Sequence, residues 1–421
     1  MKFLLKAAVI AGAIMATTSA FAVENVVWWD FLNGGDGVRM KAMIQKFNDE
    51  HKGQIEIDGT TLEWGGPFYT KLQTSAAIGQ GPDIATYHLS HIPAGVAAGV
   101  LTPFDPKELA SIGLVASDYP QHAMQAAMVD GKQYAVPFDV HPLVLYYNKK
   151  ILSDAGLLGP DGKPKGIDTL AGWRDVLDKL TKAGVTAAVF NTGGADQRVV
   201  YSLFGQMGGQ ALSGGKFFQG DNFDKMVAAY NEATDWVNKG WVAAYLDSTF
   251  PAKFEGGGAA FMINGVWELP TMVDLVAKGQ GFDYGMMPLP DWYTTPANWA
   301  DSHSFVIPNN VGHPATPDKH AAVLQVIKWM NQNSLLWAGG GHVPAYLPVR
   351  NSDAFKALKP NSDYADMAAA NAFYEPTSAL SGPGDPYEDG WNNYMAGPMN
   401  GDGDVKAALG QYRDYLNGLL K

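Results

Sequence analysis

The side chains with most to say about chemistry are aromatic rings and planar polar groups, gathered in short turn-rich stretches. Residues 254–270, FEGGGAAFMINGVWELP, place Trp267 just past an apolar run that reads as a buried strand. In open α/β sheets, ligands bind outside the carboxyl ends of the strands. Three more such ends follow apolar or alternating runs: residues 28–37 (WWDFLNGGDG), 63–68 (EWGGPF) and 88–91 (HLSH). They offer Trp29, Asp30, Trp64 and His88. Alternation along a strand sends Trp28 and Trp29 to opposite faces, so Trp29, nearer the end, is the candidate and Trp28 is core. Asp139 and His141 precede the apolar run 143–148, and Asn191 opens the turn NTGG. Trp299 and His303 lie in an aromatic-rich stretch, and His342 and Arg350 in GGGHVPAYLPVR. Rings that cover C–H faces, with Asp, Asn, His and Arg that pair hydroxyls, are what a sugar site needs.

Other chemistries have less support. His88-x-x-His91 has tolerable metal-ligand spacing if helical, but the His residues are scattered and no His-rich tract exists. The chain has no Cys, which excludes disulfides and thiolate metal sites. No metal and no cofactor are expected. A glycosidase would need two carboxylates across a cleft; Asp30, Asp36, Asp139, Glu268 and Asp301 are available, and nothing marks two of them as a pair. There is no Gly-x-Ser-x-Gly elbow and no phosphate-binding Gly-x-x-x-x-Gly-Lys loop.

The elements that must position these groups follow from periodicity. Strand, helix, strand, helix, strand within residues 26–87 predicts a parallel sheet with right-handed crossovers. Met40, Met43, Ile44 and Phe47 recur at helical spacing, as do Trp173, Val176, Leu177 and Leu180. Asp130-Gly131 between alternating residues predicts a hairpin. Residues 1–22 read as a cleavable secretory signal: a basic start with Lys2 and Lys6, a short apolar core and Ala20-Phe21-Ala22. The remainder is too long for one core, so two domains are expected. The formal charge is −12 and becomes more negative without the leader, which disfavours nucleic acid and anionic lipid.

Taken in order, these motifs resemble the sugar-binding extracellular solute-binding proteins of ABC importers, a family that includes maltose-binding and glycerol-3-phosphate-binding proteins. The carriers are FEGGGAAFMINGVW (with Val266 for the usual Pro and Phe261 for the usual Met), PDIATY, LVLYYN, YGMMPLP and the YLPVR loop. The resemblance covers nearly all of residues 26–350. It implies an α/β, two-lobed periplasmic-binding-protein fold, each lobe a mainly parallel sheet flanked by helices, joined by a multi-crossing hinge. The implied lobes are residues 23–142 plus 291–333 and residues 143–290 plus 334–421, with crossings near 143–148 and 282–290 and a third beyond 317–333. It implies that Trp267 stacks on the ligand, that Asp30 or Asp36 and Tyr87 or His88 touch it, and that Arg350 binds it or pairs a carboxylate. The ligand set expected is Trp29, Asp30, Trp64, His88, Asp139, His141, Asn191, Trp267, His303, His342 and Arg350. The implied function is periplasmic capture of a di- or oligosaccharide or glycoside by a monomer, not lipid-anchored, which delivers it to membrane permease subunits. A glycerophosphate-like polyol, and a secreted glycosidase, are the alternatives.

Overall fold

The computed structural model describes residues 23–194, 196–244 and 249–420; the expected leader, residues 1–22, lies outside them. The first lobe is built on three parallel strands, β1 (Glu24–Asp30), β2 (Ile55–Thr61) and β3 (Ile84–His88), with β1 in the middle. Helices α1 (Gly34–Glu50) and α2 (Gly66–Ala77) make the crossovers. Met40, Met43 and Phe47 of α1 are buried, as their spacing predicts. Phe68, Tyr69 and Leu72 anchor α2, which Pro67 opens without losing a helical hydrogen bond. The strand His303–Pro308 then adds antiparallel to β3. Asp130 (φ 49°) and Gly131 (φ 74°) form the expected hairpin turn.

The second lobe centres on the strand Asp139–Asn148, every residue of which is buried. Ala259–Gly265, Tyr284–Pro288, Asn298–Asp301 and Val343–Pro344 all pair antiparallel to it, and Thr186–Val189 joins parallel to Ala259–Gly265. The second sheet is therefore mixed, because its central strand enters from the first lobe and runs against its neighbours. Helix Leu170–Lys182 buries Trp173, Val176, Leu177 and Leu180, and the Thr169 hydroxyl caps it by accepting from the Gly172 amide. Helices Pro386–Met399 and Val405–Leu419 pack on the same core through Tyr387, Trp391, Met395, Leu409 and Tyr412.

Three passages join the lobes. The first runs from Phe138, in the first core, to Val140, in the second. The next runs from Asp301, paired in the second sheet, to His303, paired in the first. The last is a stretch that crosses back and forth: Trp337 packs in the first core, Ala338 and Val343 in the second, Ala345 and Tyr346 in the first, and Phe355 in the second again. The crossing expected at 282–290 falls instead at 301–303, because Tyr284–Pro288 stays paired along residues 144–148. For the same reason residues 291–301 pack with the second lobe, Trp292 and Trp299 in its core, while Trp337 and Tyr346 pack with the first. No helix among the described residues is long and apolar enough to cross a membrane.

Candidate functional site

A cavity lies where the lobes face each other, enclosing about 810 Å³ of space between its walls, open solvent at its mouth included. The first lobe supplies Phe31, Asn33 and Asp36 past β1, Trp64 past β2 and His88 at the end of β3. These are the carboxyl ends of parallel strands, as the topology requires. The second lobe supplies His141, Arg198, Trp267, Trp299, Asp301, Glu375, Pro383 and Glu388, and His303 sits on the passage between them.

Trp267 is held half-buried by its own turn. A side chain at position 265 would meet the indole at 2.0 Å, so Gly265 is what lets the ring fold back over the strand end. The indole packs edge-on against Trp299 at 6.2 Å and His141 at 6.0 Å. Arg198, at the start of helix Gln197–Gln206, sets its guanidinium 4.6 Å from the Trp299 ring centre and 5.6 Å from that of Trp267. Glu388 fixes it from helix Pro386–Met399 at 3.1 Å. Opposite, Phe31 stacks on His88 at 4.5 Å, and the His88 Nδ1 is hydrogen-bonded to the Tyr69 hydroxyl at 2.6 Å. Trp64 stands at the rim, 43 % exposed, edge-on to His88.

Burial sets the charges. It pushes His88 well below the ordinary imidazole range and His141 down to about 4, with His303 adding to both, so His88 and His141 face the cavity neutral. It pushes Asp301 up to about 6 against hydrogen bonds from Ser90 and Ser302. Glu375 rises to about 8, through burial first and then the nearby carboxylates of Glu388 and Asp301. A carboxyl that keeps its proton in the fold after the unfolded chain has released it makes stability fall as pH rises between the two pKa values. The lowered histidines work in the opposite sense, but only below their ordinary value of 6.5. The ligand-free melting temperature should therefore decline from about pH 6.5 to 8, and Glu375→Gln should flatten that decline in a pH series of thermal melts.

Behind the wall, Asp139 is fully buried and accepts from His141 Nδ1 (3.0 Å), His303 Nδ1 (2.7 Å), the His303 amide (2.8 Å) and Trp337 Nε1 (2.6 Å). Burial opposes its charge, yet His303, His342 and His141 hold it well below the carboxylate range. Burial also works against a charge on His342, but Asp36 and Asp139 on either side push it up to about 10.

The sequence-derived set divides accordingly. Trp64, His88, His141, Trp267 and His303 line the cavity, as does Asp36. Asp139 and His342 stand one layer back and orient its imidazoles. Asp30 is buried and accepts from the Leu32 amide at 3.0 Å, shaping the loop that carries Phe31. Trp29 faces away, half-buried against the first core with Lys71 5.5 Å from its ring; the next aromatic along, Phe31, takes the wall position. Asn191 accepts from Gly193 and lines an adjoining cavity of about 700 Å³ that also touches Arg198 and Trp267. Arg350 is not in the wall: its short helix, Leu347–Arg350, packs on the first core through Val349, and its guanidinium pairs with Asp366 at 3.1 Å. The guanidinium that does line the wall is that of Arg198. Glu375, Pro383 and Glu388 come from a turn-rich stretch with no motif of its own. Arg198, at a helix start just past the NTGG turn, had the positional signal that marks Trp267.

Residues 42–358 match a family described as bacterial extracellular solute-binding protein. Among curated proteins the chain is similar to an uncharacterized ABC transporter extracellular-binding protein of Pyrococcus horikoshii, 26% identical over 328 residues, 73% of this chain and 69% of that one. It is similar also to the galactooligosaccharide-binding protein of Bacillus subtilis, 27% identical over 303 residues, 65% of this chain and 62% of that one. Solved structures with the same fold include the GacH receptor of Streptomyces glaucescens, at TM-score 0.78 and 18% identity, covering 95% of this chain and 99% of that one. The sugar-binding protein MalE from Xanthomonas citri matches at TM-score 0.76 and 18% identity, covering 94% and 97%.

Proposed function

Because this chain belongs to the bacterial extracellular solute-binding protein family, we propose that it captures a carbohydrate of two or more rings between its lobes and delivers it to the permease of an ABC importer. The observation that carries this is the composition of the cavity wall. Phe31, Trp64, Trp267 and Trp299 offer ring faces, while neutral His88 and His141, Asn33 and Arg198 offer hydroxyl partners between them. The adjoining cavity shares Trp267 and Arg198, which gives room for a second sugar unit. Galactooligosaccharide, for which the similar Bacillus subtilis protein is named, agrees with this class.

A glycerophosphate is the poorer fit. Asp36, Asp301, Glu375 and Glu388 all line the wall, and the one guanidinium among its described residues is already paired with Glu388. The protein acts as a binder and not a hydrolase: two raised carboxyl groups of the wall, Asp301 and Glu375, are engaged as acceptors for Ser90, Ser302 and Gly382 amides. The mature chain is expected in the periplasm as a monomer.

Capture proceeds by hinge closure. Ligand settles on one lobe, the other swings over it, and the closed form is favoured by the ligand's extra contacts there. A melting-shift screen over mono-, di- and oligosaccharides, sugar alcohols and glycerophosphodiesters tests the class. At a hundredfold excess over Kd the ligand should add about 2.7 kcal/mol of stability, with no reducing ends released. Shifts confined to the phosphodiesters, or release of reducing sugar, would overturn it.

A further inference from the structure

The three passages between the lobes meet at one buried point. Asp139 and His141 come from the strand Asp139–Asn148, His303 opens the strand His303–Pro308, and His342 directly precedes Val343–Pro344. One donor atom of each lies within 4.8 Å of one from every other, and all four side chains are buried. His141 Nδ1 and His303 Nδ1 both face the Asp139 carboxylate, at 3.0 and 2.7 Å.

His342 lies between two carboxylates. Its Nε2 is 3.0 Å from Asp36 Oδ1 and its Nδ1 3.2 Å from Asp139 Oδ2. Those two carboxylates favour a proton on each ring nitrogen, so positive charge already sits at this point of a dry interior. A proton on Nδ1 serves this one contact; a metal ion, displacing the inward-facing protons of the cluster, would serve all four donors.

We propose that Asp139, His141, His303 and His342 form a binding site for a first-row divalent metal ion where the three inter-lobe passages cross. Three imidazoles and one carboxylate are a donor set that suits zinc. Asp36 on His342 Nε2 is the outer carboxylate that orients a ligating imidazole. To take the ion, His141 and His303 carry their ring proton on Nε2 and turn the Nδ1 lone pair inward. The bound ion ties the hinge at its centre. The site does not depend on which solute the cavity takes. A second group, His88, His141 and Asp301, shares His141 and belongs to the cavity wall.

The test uses the mature protein, stripped with EDTA, freed of the chelator and titrated with Zn²⁺ alone by calorimetry, with bound metal counted by elemental analysis. The expected result is one equivalent per chain and a higher melting temperature. Asp36→Asn should weaken the uptake by about 10- to 100-fold, as loss of an outer-shell partner does, and His342→Gln by more. His320→Gln, on the surface pair with Glu108, should leave it unchanged. No stoichiometric uptake by the wild type would mean that a proton alone bridges His342 and Asp139, and overturns the site. Uptake unaltered in His342→Gln overturns it as well. If His342→Gln does not fold, unaltered affinity in Asp36→Asn decides against it.

Discussion

Trp267→Ala should weaken sugar binding by ~1–3 kcal/mol, about 5- to 150-fold in Kd, with little change in ligand-free stability. The ring is half-buried and shared by two adjoining cavities, so much of its surface is free to be covered by a ligand. Its neighbours Trp299, His141 and Arg198 lie 5.6–6.2 Å away, and the first two are held by other contacts. Trp299 is pinned by the Ser202 hydroxyl on its amide at 2.8 Å, and His141 by Asp139. Calorimetric titration and a thermal melt of the same variant separate the outcomes. Normal binding with a large fall in melting temperature would make Trp267 a core residue and nothing more.

Gly35→Ala should cost affinity by a different route. Gly35 sits in the first turn of α1, on the first lobe, and a Cβ there would lie 2.4 Å from Pro270 Cβ and 2.9 Å from its Cγ. Pro270 belongs to helix Leu269–Ala277 of the second lobe. The other rim of the cavity is equally tight: a Cβ on Gly384 would meet the Gly66 amide at 2.6 Å, and His91 Nδ1 lies 2.6 Å from Asp385 Oδ2. Gly384, however, has φ +83°, where any side chain is strained by itself. Gly35 carries no such strain, so alanine there acts through the Pro270 contact between the lobes, the approach that hinge closure requires. Binding should fall at least tenfold, about 1.4 kcal/mol, while the ligand-free melt stays the same or rises slightly from the better helix propensity. Pro270→Gly in the same chain removes both colliding atoms and should restore much of the affinity. Wild-type affinity in Gly35→Ala would mean the lobes need not approach this closely when ligand is bound.

Much of this architecture is readable from residue order, and the reasons differ by element. The first lobe follows local rules: each main strand is a short apolar or alternating run, each crossover helix an amphipathic one, and the crossovers leave strand ends on one edge. That is why Trp64 and His88 could be placed at the cavity from position; Trp267, just past a strand end of the second lobe, needed the family resemblance as well. Arg350 pairs a carboxylate, Asp366, and stays out of the wall, because a Pro-Val-Arg loop says where the chain turns and not which way a long flexible side chain points. Trp29 fails because one residue of alternation decides the face, and the wall begins just beyond the strand, at Phe31. Glu375 and Glu388 reach the cavity only through packing between residues far apart in the chain, which periodicity does not encode. The second passage lies ten or more residues beyond the expected one because Tyr284–Pro288 looks the same as any edge strand, whichever lobe it serves.

The measurement that bears most directly on the whole account is calorimetric titration of di- and oligosaccharides into wild-type protein, Trp64→Ala and Trp267→Ala. Trp64 stands exposed on the rim contributed by the first lobe and Trp267 within the wall of the second. A ligand held between the lobes should bind one per chain, and each variant should weaken it while the fold keeps its melting temperature. Absence of binding across the panel, or affinities unmoved in both variants, would contradict a sugar site between the lobes.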